Sequence, residues 1–213
     1  MEYADWEPFY EAILIDMDYS RDADREAAAL LADAAGRDSP PARLADAAGA
    51  EVAVVGDSPS MQPRRARSYE VVFAADGAAR RLLEAEVEVD VVVTDLDGAP
   101  ETAVELSREG AVVAVHAHGD NVRLLERWLP EFDEDRLLPT AQCRPPPGVY
   151  NHGGFTDGDR AAYLADACGA RSIELVGFDV AAAEGVKRRK LRWASRLLRA
   201  LAEERCEPLR PVS

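Results

Sequence analysis

Five short runs of apolar, largely β-branched residues limit the fold of this chain more than any other feature: EVAVV (51–55), EVVFA (70–74), DVVVT (90–94), AVVAV (111–115) and SIELVGF (172–178). RLLPTAQ (136–142) is a weaker sixth. Most of these runs do not alternate apolar with polar residues, so both faces of each strand are expected to be buried, as in a parallel sheet. Helical segments separate them at 77–86, 101–109, 120–129 and 157–168, and an amphipathic helix spans 186–204. This alternation predicts an α/β fold with three layers, a mainly parallel, Rossmann-like sheet between helices. Residues 4–48 read differently, as an N-terminal helical segment. DADREAAALLADAAG (22–36) is a strong helix former ended by Gly36, and SPP (39–41) separates it from a second short helix. The expected division is a helical segment at 1–48 and an α/β catalytic domain at 49–213.

Of the 213 residues, 47% are hydrophobic, enough for one substantial core. No apolar run approaches the roughly eighteen residues of a membrane span. The N-terminus lacks a basic region followed by an apolar stretch, so a cytoplasmic protein without membrane contact is expected. Cys143, Cys168 and Cys206 are widely spaced and form no C-x-x-C pair, which indicates neither a disulfide framework nor a zinc knuckle. The net charge of −15 argues against a nucleic-acid partner. Lysine occurs only at positions 187 and 190. An acidic, lysine-poor composition is expected of a halophilic, archaeal-type cytosolic protein. In such a chain an aspartate carries information only beside a glycine, a strand end or another unusual residue. Assembly into a homo-oligomer is compatible with the sequence.

Such combinations follow the strands. GDSPS (56–60) follows the first run, ADGA (75–78) the second, DLDG (95–98) the third and HAHGDN (116–121) the fourth. NHGGFTDGDR (151–160) follows the weak run and its loop, and Asp179 follows the last. In a parallel sheet these positions line the carboxyl edge, where α/β folds place their ligands. Asp95 and Asp97 at one strand end suit Mg²⁺, which takes one or two carboxylates with phosphate oxygens and water. A helix cap and a turn are the structural alternatives for the pair. Gly56, Ser58 and Ser60 make a candidate phosphate-facing turn, although GDSPS is neither a P-loop nor G-x-G-x-x-G and Pro59 alone explains a turn. Asp76 either contacts a ribose or metal or caps the helix beginning near residue 78. Thr156 and Asp159 have capping-box spacing. Capping leaves Gly153, Gly154, Asp157 and Arg160 unexplained, and a glycine pair before a helix start makes an anion site. Lys187, Arg188, Arg189, Lys190 and Arg192 form either a solvated helix face or, through the two lysines, contacts to a triphosphate.

His116 and His118 share a face on an extended strand. The pattern H-x-H-x-D is similar to the metal loop of metallo-β-lactamase-fold hydrolases. Asn121 stands where that loop needs a further histidine, and His152 is the one histidine left downstream. A binuclear zinc site is not readily filled from this inventory.

Together, TDLDG, HAHGDN, GGFTDGDR and LVGFD resemble, in order and spacing, the archaeal 6-hydroxymethyl-7,8-dihydropterin diphosphokinase family, which is similar in its catalytic core to the thiamine pyrophosphokinases. The resemblance covers roughly residues 50–195, and HAHGDN with GGFTDGDR is its most specific part. Asp57 departs from it, since a smaller residue is expected in that turn. The resemblance implies a thiamine pyrophosphokinase-like catalytic domain and Mg²⁺-dependent transfer of diphosphate from ATP to the hydroxymethyl group of a reduced pterin. AMP would be released, and the product would enter tetrahydromethanopterin or folate synthesis. It implies Asp95, Asp97 and Asp120 as metal ligands, and His116, His118, Asp120 and Asn121 as catalytic candidates. Phosphates would meet the 153–160 loop and the basic helix, and Asp157, Asp159 or Asp179 would read the pterin edge. Thiamine as acceptor, a metallohydrolase and a non-catalytic nucleotide-binding protein are the competing expectations.

Overall fold

A computed structural model describes residues 1–179 and 184–212. Six strands form where the apolar runs lie: β1 (Glu51–Val55), β2 (Val71–Ala75), β3 (Val91–Thr94), β4 (Val112–Ala117), β5 (Leu137–Ala141) and β6 (Ser172–Val176). A seventh, β7 (Arg210–Val212), pairs with β6. It is too short, and too interrupted by proline, to announce itself in the sequence. All pairings are parallel, in the order β5-β4-β3-β2-β1-β6-β7. The absence of alternation has its cause here, because β2, β3, β4 and β5 are buried at every position.

The helices are α1 (Tyr3–Met17), α2 (Arg21–Ala35), α3 (Asp76–Glu84), α4 (Pro100–Arg108), α5 (Val122–Trp128), α6 (Asp157–Ala167) and α7 (Gly185–Arg205). The short helix expected near residue 42 is a 3₁₀ segment at Ala42–Ala47. Two apolar clusters divide the sheet by side-chain parity. Val52, Val54, Phe73, Val91 and Val93 face α1, α6 and α7, whereas Ala53, Val55, Val72, Ala74 and Val92 face α3, α4 and α5. Right-handed crossovers require this arrangement. The chain walks from β1 out to β5 with helices on one face, then reverses to β6 with helices on the other.

That reversal positions the site. Because β5 is at one edge and β6 lies beyond β1, the intervening segment must cross the sheet, and α6 packs over β1, β2 and β3. α6 is buried nearly all round, from Gly158 to Ala165. Its alanines allow close approach to the sheet, and Tyr163 Oη donates to Leu197 O of α7 at 2.8 Å. The N-terminal helices join the same core: Trp6 and Tyr10 are fully buried, and Trp6 Nε1 donates to Gln142 O at 2.7 Å. Among the described residues, no helix is long and apolar enough to cross a membrane.

Candidate active site

The strand-end turns are built by hydrogen bonds to their own backbone. Asp76 opens α3, yet its carboxylate accepts from Gly98 N at 2.8 Å and Ala99 N at 3.1 Å. It therefore caps the turn after β3 rather than its own helix. Asn121 is buried and stitches the HAHGDN loop: its amide nitrogen donates to Asp95 O and His116 O at 2.8 and 2.7 Å, and its Oδ1 accepts from His118 N. The capping box forms before α6, with Asp159 accepting from Phe155 N, Thr156 N and the Thr156 hydroxyl. Asp159 is thus turned to the helix start and is fully buried. Gly154 adopts φ +88°, and a Cβ there would meet the Arg160 backbone at 2.6 Å, so the loop folds against α6 only with glycine at this position.

These turns enclose a cleft of ≈ 210 Å³. Its acidic lining is Asp95, Asp97, Asp120 and Asp157, and its basic lining is Arg160, Lys187 and Lys190. His118 and Thr156 line it as well, and Tyr19, Phe155, Gln142 and Leu191 complete the wall. Asp76, Asp95 and Asp157 bring carboxylate oxygens within 4.8 Å of one another. Such crowding is visible in the ionisation of each group. Burial and repulsion by Asp95, Asp76 and Asp97 push Asp157 far above the usual carboxylate range, against the opposing pull of Arg160. Burial likewise raises Asp76. Asp97 is pushed up to about 6 by burial and by its neighbours Asp95 and Asp76. Asp95 alone goes the other way: burial opposes its ionisation, but the hydrogen bond from His118 and the charge of Arg160 outweigh it. Oxygen donors alone make up the trio, a set suited to Mg²⁺ or Mn²⁺ rather than zinc. Each carboxylate keeps lone pairs beyond its protein hydrogen bonds. A hard divalent cation therefore fits, and would relieve the mutual repulsion.

The two histidines of HAHGDN part company. His118 reaches the cleft, with Nε2 3.2 Å from Asp95 Oδ2 and Nδ1 accepting from Asp120 N at 3.3 Å. His116 is buried beneath it, 3.0 Å from Thr140 Oγ1, and burial holds it well below the usual histidine range. With Arg160, His116 borders an inner cavity of ≈ 20 Å³, the size of one water molecule. Gly153 and His152 border that cavity too.

Other expected residues lie apart. Gly56, Ser58 and Ser60 sit where the strand order reverses, between β1 and β6. That crevice is closed: Gly56 N donates to Val176 O at 2.8 Å and Ser58 N to Gly177 O at 3.2 Å. Asp57 pairs with Arg81 of α3 at 3.1 Å, and Arg81 also donates to Ser58 O and Met61 O. The residue that departs from the family pattern thus latches its loop to a helix. Ligand space opens over β3 and β4 instead.

Sequence reasoning missed Tyr19, Gln142 and Phe155 as cleft residues and did not connect Asp24 to them. Gln142 was within reach, being the first residue beyond β5 and so on the carboxyl edge. Tyr19, in the turn between α1 and α2, and Asp24, on α2, come from the N-terminal segment, which no spacing ties to the sheet.

An all-parallel α/β sheet carries a carboxylate trio at its carboxyl edge, beside a cleft lined by both aspartates and lysines, a set of charges that could hold a cation and an anionic group. The family described as 6-hydroxymethylpterin diphosphokinase MptE-like matches residues 37–185. Three curated proteins named 6-hydroxymethyl-7,8-dihydropterin pyrophosphokinase are similar over most of their length. That of Methanothermobacter thermautotrophicus is 40% identical across 93% of this chain and 94% of its own. The Pyrococcus furiosus protein is 44% identical across 84% and 78%, and the Methanocaldococcus jannaschii protein 30% identical across 96% and 97%. The chain belongs to this family, and with it to the diphosphokinases.

Proposed function

We propose that this protein transfers diphosphate from ATP to 6-hydroxymethyl-7,8-dihydropterin, with Mg²⁺, in the synthesis of tetrahydromethanopterin or folate. The observation that carries the reading is a cleft lined by Asp95, Asp97 and Asp157 together with Lys187 and Lys190. The names of the relatives support the acceptor. An acidic, lysine-poor surface fits work in a salt-rich cytoplasm.

In the balanced reaction the substrate hydroxyl oxygen bonds to the β-phosphorus, the bond from that phosphorus to the α,β-bridging oxygen breaks, and AMP leaves with that oxygen. The hydroxyl proton is released. Such a step depends on alignment and on neutralising charge. Asp76, Asp95 and Asp157 would hold Mg²⁺, which when bound offsets negative charge on phosphate oxygens. Lys187 and Lys190 of α7 supply positive charge, and the N-terminus of α6, where Asp157 itself stands, adds its dipole. His118 has both ring nitrogens engaged, so its part is to hold Asp95 and the turn at Asp120. Tyr19 and Phe155, with ring centroids 6.3 Å apart, offer an apolar wall to a flat acceptor.

The test is purified protein at high salt with ATP, Mg²⁺ and either the reduced pterin or thiamine, followed by AMP release. Pterin-dependent AMP that stops on chelation is expected. Thiamine-dependent AMP, or none with either acceptor, would overturn the assignment. Lys190→Gln is expected to raise the KM for ATP more than Lys187→Gln, because Lys190 is half-buried and faces Asp97.

A further inference from the structure

Asp24, on the second N-terminal helix, is 3% exposed and forms no ion pair among the described residues. A carboxylate buried in this way costs several kcal/mol unless its lone pairs are filled. They are filled here from three directions. Oδ1 accepts from Gly119 N at 2.9 Å, and Oδ2 accepts from Tyr10 Oη at 2.7 Å and Gln142 Nε2 at 2.9 Å. Gly119 belongs to the HAHGDN loop, and Gln142 lines the cleft. Gln142 in turn presents Oε1 to Arg160 Nη2 at 3.4 Å, and Arg160 Nη1 donates to Asp157 Oδ1 at 3.0 Å.

The order of donors and acceptors along these side chains is not arbitrary. An ionised carboxylate only accepts, so Gln142 must turn its NH₂ toward Asp24 and its oxygen toward Arg160. Arg160 only donates, so the reverse orientation of the amide would set NH₂ against guanidinium. We propose that Asp24 is a positioning residue: its acceptor-only character fixes the polarity of Gln142, and through it the Arg160–Asp157 pair, while its other oxygen holds the HAHGDN loop at Gly119. Residues of the 116–121 loop and Asp157 both border the cleft, and one buried side chain of α2 reaches the loop through Gly119 and Asp157 through Gln142 and Arg160. This gives the N-terminal helices a part in the chemistry, beyond covering the sheet.

This role for Asp24 rests on the site reading above, and its test separates the two. Asp24→Asn keeps the shape, but its NH₂ must face either Gly119 N or Gln142. Oriented toward Gln142, it turns that amide over and brings NH₂ against Arg160. Gln142→Glu alone sets two carboxylates together. The double variant Asp24→Asn/Gln142→Glu restores the pattern at unchanged charge. The new amide at position 24 accepts from Gly119 N through its oxygen and donates through its NH₂ to the new carboxylate at position 142. That carboxylate then accepts from Arg160. Each single variant is expected to lose about 10–100-fold in kcat and in Mn²⁺ affinity, as outer-shell changes do. The double variant is expected to keep about tenfold or more activity and Mn²⁺ affinity beyond what the product of the two single losses would leave. Amide exchange across 116–121 should quicken in Asp24→Asn and slow again in the double variant. A wild-type kcat and Mn²⁺ affinity in Asp24→Asn, or a double variant no better than the product of the singles, would overturn the proposal. If the wild type makes no AMP, the diphosphokinase reading fails, and Mn²⁺ binding with amide exchange still judges Asp24.

Discussion

His118 Nε2 lies 3.2 Å from Asp95 Oδ2, and this contact, with the field of Arg160, keeps Asp95 ionised in a setting that makes its neighbours harder to ionise. A folded-state pKa held below the unfolded one contributes stability above the ordinary carboxylate range, and that stability is lost as pH falls through the depressed value. His118→Phe removes the donor and lets burial raise Asp95. The expected result is a loss of about 10–100-fold in Mn²⁺ affinity, with the acid limb of kcat/KM moved to higher pH. Metal titrations and pH–rate profiles of the variant check both.

Asp97 works with the opposite sign. Its folded pKa is raised to about 6 by burial and by Asp95 and Asp76. The folded state therefore binds the extra proton, and stability falls as pH rises from the ordinary carboxylate range through about 6. A divalent cation relieves the repulsion, so the Tm gain on adding Mg²⁺ is expected to be larger above pH 6 than below it. Asp97→Asn should raise the metal-free Tm above that pH, shrink the Mg²⁺ effect and abolish turnover. Melting curves with and without Mg²⁺ across the range give the answer.

Arg160 is 7% exposed and pairs with Asp157 at 3.0 Å. Arg160→Met removes the pull that opposes protonation of Asp157 and leaves the acceptors of Asp157 and Gln142 without their donor, a change expected to cost about 1–3 kcal/mol of folding stability. Asp157→Asn/Arg160→Met should recover part of the loss, because the crowded acid is gone as well. Urea denaturation of the three variants beside the wild type measures the difference.

Gly119 lies so close to α2 that a Cβ would meet the Ala23 Cβ at 2.6 Å. Gly119→Ala is expected to cost about 1–3 kcal/mol through overpacking. Ala23→Gly in the same chain should return part of this by opening the space, less about 1 kcal/mol of helix propensity. Denaturant midpoints of the single and double variants test the contact, and equal stability of Gly119→Ala and wild type would remove it.

The sheet was legible in the sequence because burial on both faces leaves its mark on every residue of a strand. Val91, Val92 and Val93 read as a parallel strand in isolation. The turns read equally well, since Gly98 and Gly119 each stand beside an acid after a strand, and Gly154 belongs to a glycine pair before a helix start. Those two signals were enough to specify the fold class and to mark carboxyl-edge loops, several of which line the cleft. They could not specify which edge positions meet. The crossing from β5 to β6 carries Asp157 over the sheet to Asp76 and Asp95, while Gly56 and Ser58, equally well marked in sequence, close against Gly177. Likewise His116 and His118 have the same local pattern, and only packing against Thr140 and α6 buries one and opens the other to the cleft. Asp24 left no sign at all. Its partners at the site, Gly119 and Gln142, lie 95 and 118 residues away, and contacts across such separations come from how helices stack on a finished sheet, which no periodicity within one segment encodes.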